Sequence, residues 1–155
     1  DVSQEIVHRA RIDLADLGNV QILLNNGRDL ADLAPSSFDV CYSFIVFQHI
    51  PDPAVTCRYI EEMGRVLKPG GWAVFQISDQ PAIHEAQHYA GSVRGRVTHR
   101  VRRQRRHTLE PQWLGSAVPR LKLLAALGKG GLILEGAVGE GTQFCLLSVR
   151  RNRQR

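Results

Sequence analysis

The feature that most constrains the fold is a nearly continuous apolar run, FDVCYSFIVF, at residues 38–47. A strand with one solvated face alternates apolar and polar residues, whereas a strand covered on both faces of a parallel sheet is apolar almost throughout. We therefore expect a buried strand of a parallel sheet here. The polar pair Gln48 and His49 follows at once, then Pro-Asp-Pro at residues 51–53, so a polar loop leaves the strand's carboxyl end.

The rest of the chain alternates between helical and strand patterns. Apolar periodicity predicts helices over residues 3–18, 54–67 and 117–131, and strands over residues 19–24, 72–78, 132–138 and 142–149. The core-facing positions of the first two helices are Ile6, Val7, Ala10, Leu14 and Leu17, then Val55, Tyr59, Ile60, Met63 and Val66. Gly-Glu-Gly at residues 139–141 is too short for anything but an antiparallel hairpin. The pattern predicts an α/β fold, a mainly parallel sheet finished by a hairpin.

Composition narrows the class of protein and locates its charge. The chain has 155 residues, enough for one domain with its own core, and no signal peptide or membrane-spanning run. Its three cysteines are far apart and lack metal-ligand spacing, which is typical of buried thiols in a reducing cytoplasm. Seven arginines lie in residues 94–106 and four in residues 150–155. Without these eleven, the chain has nine basic and fifteen acidic residues. The body is therefore acidic, with two basic patches.

Four segments resemble one known family in order and spacing. They are DVSQEIVHRAR, NNGRDLADL, SFDVCYSFIVFQHIPD and EEMGRVLKPGGWAVFQ, at residues 1–11, 25–33, 37–52 and 61–76. Together they resemble class I S-adenosylmethionine-dependent methyltransferases of the small-molecule type found in quinone biosynthesis. The resemblance covers nearly the whole chain except the basic segment. It implies a Rossmann-like fold, S-adenosylmethionine as cofactor, a small-molecule methyl acceptor and a cytoplasmic protein without a membrane span.

The resemblance also implies roles for residues near the amino end. Asp1 matches the acidic residue that accepts hydrogen bonds from both ribose hydroxyls, and Val2 would lie against the adenine face. Asn26 stands where the family usually has an aspartate that reads the adenine amino group, with the backbone N–H of Gly27 or Arg28 serving the ring nitrogen. Two simpler interpretations remain open: Asp1 as an exposed acid, and Asn-Gly as an ordinary turn.

The same resemblance implies roles for residues at the end of the apolar run and in the polar loop that follows it. Ser43 and Phe44 correspond to residues that line the methionine end of the cofactor, and Gln48 and His49 would face the substrate, as would Arg94. Methyl transfer is an in-line displacement that depends largely on positioning. His49 is thus a candidate base, with a structural hydrogen bond as the alternative.

The family's glycine-rich loop is absent from the 155 residues. The Gly-Glu-Gly at residues 139–141 lies between two strands and does not open a helix. We expect the family's first strand and that loop to precede Asp1, so that the chain is the carboxyl-terminal part of a methyltransferase and is inactive alone. Residues 1–80 and 112–150 would form the partial domain, residues 81–111 an arginine-rich substrate-covering insertion, and residues 151–155 a basic tail.

Two other functions compete with this interpretation. HEAQH at residues 84–88 matches a zinc-protease motif, with His84 and His88 as ligands and Glu85 polarising water. Against it, Arg94 stands where a third histidine is expected, and the only methionine, Met63, lies upstream. The arginine-rich segment could instead bind nucleic acid or serve an RNA methyltransferase, although no aromatic residues are interleaved with it. The acceptor, the methylated atom and the oligomeric state are not specified by these residues.

Overall fold

The computed structural model describes residues 1–80, 82 and 115–153. The predicted insertion at residues 81–111, with the candidate residues His84, His88 and Arg94, therefore lies outside the described part apart from one residue. The elements in chain order are α1 (Gln4–Asp13), β1 (Phe38–Ser43), a 3-10 turn (Phe47–His49), α2 (Pro53–Val66), β2 (Leu67–Ile77), α3 (Arg120–Gly130), β3 (Leu132–Val138) and β4 (Cys145–Arg151).

The four strands form one mixed sheet in the order β1-β2-β4-β3. β1 pairs in parallel with β2, with Cys41 opposite Ala73. β2 and β4 pair antiparallel, with Phe75 opposite Leu147, and β4 pairs antiparallel with β3. The turn between β3 and β4 contains Gly139 at φ 78° and Gly141 at φ 75°, values that glycine adopts without steric cost. The α/β class and the carboxyl-terminal hairpin are thus confirmed.

The core lies around the two central strands, β2 and β4, and the helices α2 and α3. Its fully buried members include Ile60, Val66, Leu67, Phe75, Ile77, Leu147 and Val149. The two helices approach so closely that a Cβ added to Gly64 would lie 2.0 Å from the carbonyl oxygen of Gly130. α2 begins where the sequence predicted, because the side chain of Asp52 caps it by accepting a hydrogen bond from the Ala54 N–H at 2.8 Å. It ends at Val66, three residues before Pro69.

The prediction that the apolar run at residues 38–47 is buried on both faces was wrong for the described structure. β1 lies at the edge of the sheet, and Phe38, Val40 and Tyr42 are exposed by 39%, 42% and 67%. Only one of its edges has a partner strand among the described residues. The strand also ends at Ser43, and Ile45 has a φ of 57°, a left-handed conformation that is strained for a β-branched residue.

The amino-terminal segment departs furthest from the prediction. α1 is capped by Ser3 as expected but ends at Asp13, well before Gly18, and Val7 is its only buried residue. Residues 19–24 form no strand, contrary to the prediction. The Leu23 carbonyl accepts from the Asp1 nitrogen, but no strand forms, and the neighbouring Ile22 carbonyl accepts from the Arg11 guanidinium at 2.9 and 3.1 Å.

The remaining boundaries shift by a few residues. β2 begins at Leu67, five residues before the predicted strand, because Leu67 already pairs with Phe38. Arg151 belongs to β4 and not to a free tail: its guanidinium donates to the Ser36 hydroxyl and to the backbone carbonyls of Arg65 and Leu67. Among the described helices, none has the length and apolar character needed to cross a membrane.

Candidate cofactor and acceptor site

Asp1 lies beside the loop of residues 25–29. The Asp1 backbone nitrogen donates to the Leu23 carbonyl at 3.1 Å, and the Asn25 N–H donates to the Asp1 carbonyl at 2.7 Å. Asp1 therefore bonds through its nitrogen to Leu23 and through its carbonyl to Asn25, two residues further along. This is the hydrogen-bond pattern of parallel strands. Two segments that are distant in the sequence are therefore in register at this point.

The 25–29 loop is closed by its own asparagines. Asn25 donates through Nδ2 to the Asp29 carbonyl at 2.7 Å, and its Oδ1 accepts from the Gly27 N–H at 2.7 Å. Asn26 Oδ1 accepts from the backbone N–H groups of Arg28 and Asp29, at 2.7 and 3.1 Å. Asn26 Nδ2 donates to the Asp29 carboxylate at 2.8 Å, and this bond is the main reason that the pKa of Asp29 lies below its ordinary value.

These bonds decide how well each expected cofactor contact fits. The Asn26 carbonyl oxygen and the N–H groups of Gly27 and Arg28 are all engaged inside the loop, so reading adenine through them requires an exchange of those bonds. Asp1 is exposed, and one of its carboxylate oxygens accepts from the Ser3 N–H at 2.8 Å. A carboxylate offers about four acceptor positions, so Asp1 retains the capacity to hold two hydroxyls.

Val2 and Gly27 form an apolar edge beside this carboxylate. Val2 is exposed, and its Cγ1 lies 3.3 Å from the position that a Cβ on Gly27 would occupy. Gly27 has a φ of 75°, which disfavours any side chain there. The two residues therefore lie side by side next to Asp1.

Tyr59 connects the 25–29 loop to the segment after β1. Its hydroxyl donates to Asn25 Oδ1 at 2.5 Å, and its ring stacks on Phe47 with 5.7 Å between centroids. Burial raises the pKa of the Tyr59 hydroxyl, so it remains a hydrogen-bond donor at neutral pH. The sequence assigned Tyr59 to the core alone. Its partner lies 34 residues away, and no local pattern could have revealed the bond.

Arg65 fixes the far side of the same loop. Its guanidinium donates to the carbonyls of Leu30 and Leu33, at 2.8 and 2.9 Å, and to the buried carboxylate of Glu62. The bond to Glu62 raises the pKa of Arg65. Glu62 and Arg65 therefore have a structural role, because they hold the loop against α2.

A second set of polar side chains lies at the carboxyl ends of β1 and β2. Ser43 is buried and Phe44 is exposed, while Gln48 and His49 lie on the 3-10 turn. Gln76, near the end of β2, donates through Nε2 to Gln48 Oε1 at 2.5 Å, and Gln48 Nε2 lies 3.3 Å from His49 Nε2. We call Gln48, His49 and Gln76 the glutamine–histidine cluster. The sequence identified the first two members and missed Gln76, whose side chain it counted only as part of a strand.

Residues 115–118 hold the backbone beneath this cluster. The Ser116 hydroxyl donates to the Ile50 carbonyl at 2.7 Å. Gly115 has a φ of 51°, and a Cβ there would lie 1.9 Å from the Gln48 carbonyl oxygen. Ala117 then bridges in parallel to Ser78, just beyond β2. Neither Gly115 nor Ser116 was recognisable from the sequence, because both act through contacts with residues about 66 positions away.

The cysteines contribute no reactive group. Desolvation raises the pKa of Cys41 to about 11, and burial also raises the pKa values of Cys57 and Cys145. All three are therefore neutral thiols at physiological pH, whereas nucleophiles and metal ligands require the thiolate. Within the described part of the chain, no group of three or more histidine, cysteine, aspartate or glutamate side chains could hold a metal ion.

Comparisons with known proteins find methyltransferases. A methyltransferase-domain family model matches residues 1–75. The chain is 32% identical over 83 residues to a ubiquinone biosynthesis O-methyltransferase of Thiobacillus denitrificans, which is 53% of this chain and 34% of that protein. It is 36% identical over 53 residues to the enzyme of the same name from Paracidovorax citrulli, covering 34% and 21% of the two chains. The match thus spans about a third of the first relative's length and less of the second's.

Solved structures match over nearly the whole chain. A S-adenosylmethionine-dependent methyltransferase of Methanosarcina mazei has a TM-score of 0.64 at 17% identity, over 98% of this chain and 80% of that one. One from Mesorhizobium loti has a TM-score of 0.60 at 20% identity, over 97% and 78%. The N-methyltransferase NodS of Bradyrhizobium japonicum, solved with S-adenosyl-L-homocysteine, has a TM-score of 0.57 at 18% identity, over 97% and 64%. At these identities the likeness shows the fold.

The fold is that of the S-adenosylmethionine-dependent methyltransferases. A methyltransferase-domain family model matches residues 1–75, just under half of the chain, and the curated relatives are named O-methyltransferases. These comparisons support the resemblance seen in the four sequence segments.

Proposed function

We propose that the protein transfers a methyl group from S-adenosylmethionine to a small-molecule acceptor, and that residues 1–155 are the carboxyl-terminal part of its catalytic domain. The observation that supports this most is the placement of Asp1 against the 25–29 loop, with Tyr59 linking that loop to the 3-10 turn after β1. Cofactor-side and acceptor-side residues thereby belong to one connected structure. The names of the curated relatives favour the same chemistry.

The cofactor supplies an electrophilic methyl group on a sulfonium, and the chain's residues bind and orient it. In this proposal Asp1 accepts hydrogen bonds from the two ribose hydroxyls. Val2 and Gly27 border the adenine ring, which Asn26 and Arg28 reach once their loop bonds are exchanged. Ser43 and Phe44 border the methionine end.

Gln48 and His49 face the methyl acceptor in this proposal. Their main contribution is to hold the acceptor in line with the methyl group, since aligned reactants avoid much of the entropic cost of a bimolecular step. His49 takes a proton only from an acceptor whose N–H or O–H comes within hydrogen-bond reach of its ring. Arg94, the third residue that the sequence placed on this side, lies outside the described residues.

We also propose that polypeptide preceding Asp1 completes the domain and that the 155-residue chain alone does not turn over. Two surfaces support this. The apolar residues Ile6 and Ile12 of α1 are exposed, and so are Phe38 and Val40 of β1. The outer edge of β1 has no strand beside it among the described residues, and an exposed apolar edge strand invites pairing.

Titration calorimetry with S-adenosylhomocysteine tests the cofactor proposal. The protein is expressed from its complete gene, with the present numbering retained. We expect binding, and we expect Asp1→Ala to weaken it by about tenfold or more, because hydrogen bonds to a charged group contribute ~1.5–3 kcal/mol. Asp39→Ala is the matched control: Asp39 is near the amino end of β1, where it pairs with Lys68. Failure of the wild-type protein to bind, or equal losses in both variants, would contradict the proposal.

Transfer of a labelled methyl group tests the acceptor class. Small hydroxylated aromatic compounds and transfer RNA are supplied separately with labelled S-adenosylmethionine. We expect label in the small-molecule fraction only. Label in RNA, without any small-molecule product, would overturn the small-acceptor proposal and leave the cofactor proposal standing.

A further inference from the structure

Gln76 is a buried amide in an otherwise apolar part of the core. Its side chain is 2% exposed, and it lies between Phe75 and Ile77 in β2. Burying an amide without hydrogen bonds costs several kcal/mol by transfer measures. A buried glutamine side chain is therefore expected to have hydrogen-bond partners. Its partners are the side chain of Gln48 and the backbone carbonyl of Gln143, at 2.5 and 3.4 Å from Nε2.

These contacts fix the orientation of both amides in turn. The Gln143 acceptor is a backbone carbonyl, so its identity is certain, and the group of Gln76 that faces it must be the NH₂. The atom of Gln48 that meets the same NH₂ must then be its oxygen. Gln48 therefore turns its own NH₂ toward His49 Nε2, 3.3 Å away. A ring nitrogen that faces a donor is an acceptor, which leaves the neutral ring's proton on Nδ1.

We propose that Gln76 is a positioning residue: acting through Gln48, it holds neutral His49 in the tautomer that carries its proton on Nδ1 and its lone pair on Nε2. The proposal deepens the function proposed above, since the glutamine–histidine cluster borders the acceptor only if that function is right. On the backbone side, the Ser116 hydroxyl donates to the Ile50 carbonyl, and Gly115 lies close to the Gln48 carbonyl.

The single Nε2 lone pair of His49 accepts from the Gln48 NH₂ in this arrangement, and that NH₂ has a second hydrogen.

Long-range ¹H–¹⁵N correlation spectra of histidine-labelled protein distinguish the two tautomers directly. The spectra are recorded on the protein from its complete gene, and the His49 signals are assigned by their loss in His49→Gln. We expect a single Nδ1–H form in the wild type. In Gln76→Leu the Gln48 amide is free to turn over, so we expect loss of the single form and a gain of Nε2–H character.

Thr56→Val is the matched control. It also removes a buried polar group, because the Thr56 hydroxyl is fully buried without a hydrogen-bond partner among the described residues, but it lies on α2. A general effect of deleting buried polar atoms would disturb His49 in both variants, and that outcome would contradict the proposal. So would an Nε2–H form in the wild type, or an unchanged tautomer in folded Gln76→Leu.

A second variant covers the possibility that Gln76→Leu does not fold. Gln48→Met removes the intermediate amide at a half-buried loop position, and we expect the same mixture of tautomers. Binding of S-adenosylhomocysteine is measured on the same samples. The Nδ1–H form without cofactor binding would refute the proposed function and leave this inference intact, whereas cofactor binding with the Nε2–H form would do the reverse.

Discussion

α1 and α2 are both amphipathic by sequence, yet only α2 is packed on its apolar side. Six residues of α2 are buried and one residue of α1 is. Ile60 of α2 is 0% exposed, whereas Ile6 of α1 is 55% exposed. Apolar periodicity predicts a helix and identifies its apolar face. Whether that face is buried depends on the other elements that pack against it. For α2 these are β2 and α3; for α1 they are absent from the described residues.

The strands show the same contrast. β2 lies between β1 and β4 and contains the fully buried Phe75, while β1 exposes Phe38 and Tyr42 at the edge of the sheet. Apolar residues make up more than half of each strand. α1 and β1 therefore contain apolar residues typical of a protein interior, but several of these residues are exposed. Stability measurements on variants can test this difference.

The largest expected effect separates α1 from α2 directly. We expect Ile60→Ala to lower the free energy of unfolding by ~2–5 kcal/mol, as for other buried aliphatic truncations. Ile6→Ala in the 155-residue chain should change it by less than ~0.5 kcal/mol, because its side chain is already in water. Urea denaturation of both variants measures the two values. Comparable losses would mean that the α1 face is covered after all.

The contact between α2 and α3 should be nearly as sensitive. Gly64→Ala would place a Cβ 2.0 Å from the Gly130 carbonyl oxygen, and overpacking of this kind costs ~1–3 kcal/mol. Gly128→Ala is the control on α3, since nothing lies within 4 Å of its Cβ position. It should stabilise the protein by ~0.4–1 kcal/mol through the unfolded chain. Thermal denaturation shows the sign of each change, and two changes of the same sign would contradict this packing.

A smaller effect is expected at Tyr59, which links the 25–29 loop to the segment after β1. Tyr59→Phe removes the hydroxyl that donates to Asn25 and keeps the ring stacked on Phe47. We expect a loss of ~0.5–1.5 kcal/mol and faster hydrogen exchange at the Gly27 amide, whose acceptor is Asn25. Tyr42→Phe on exposed β1 serves as the control and should change neither quantity. Unaltered exchange in Tyr59→Phe would show that the link does not order the loop.

The smallest effect is a pH dependence arising from β1. Folding raises the pKa of Cys41 from 9.0 to about 11 by desolvation, so the folded state keeps its thiol proton longer than the unfolded state. Stability is therefore unaffected below pH 9 and falls as the pH rises toward 11. Cys41→Ser lacks this titration, and we expect a shallower alkaline decline in urea denaturation. The pKa values of Cys57, Cys145 and Tyr59 are raised in the same direction and contribute to the remaining slope.

Local signals were enough to predict the elements that pack within the described chain. The helix after Pro53, its end near Leu67 and the hairpin at residues 139–141 each depend on a few neighbouring residues. The burial of β1 and the strand at residues 19–24 were wrong, because both depend on what lies beside them. In the site, resemblance suggested Asp1 and the asparagine loop. Gln76, Tyr59 and Ser116 act across long sequence separations, which no local pattern encodes.

Hydrogen exchange across β1 tests most directly whether the exposed amino-terminal surfaces are an interior that further polypeptide closes. Peptides covering Phe38–Ser43 are compared by mass spectrometry in the 155-residue chain and in the protein from its complete gene, with β2 peptides as the internal reference. We expect β1 to exchange much faster than β2 in the 155-residue chain and to approach the protection of β2 in the complete protein. Equal β1 protection in both proteins would contradict this conclusion, as would a complete gene product that begins at Asp1.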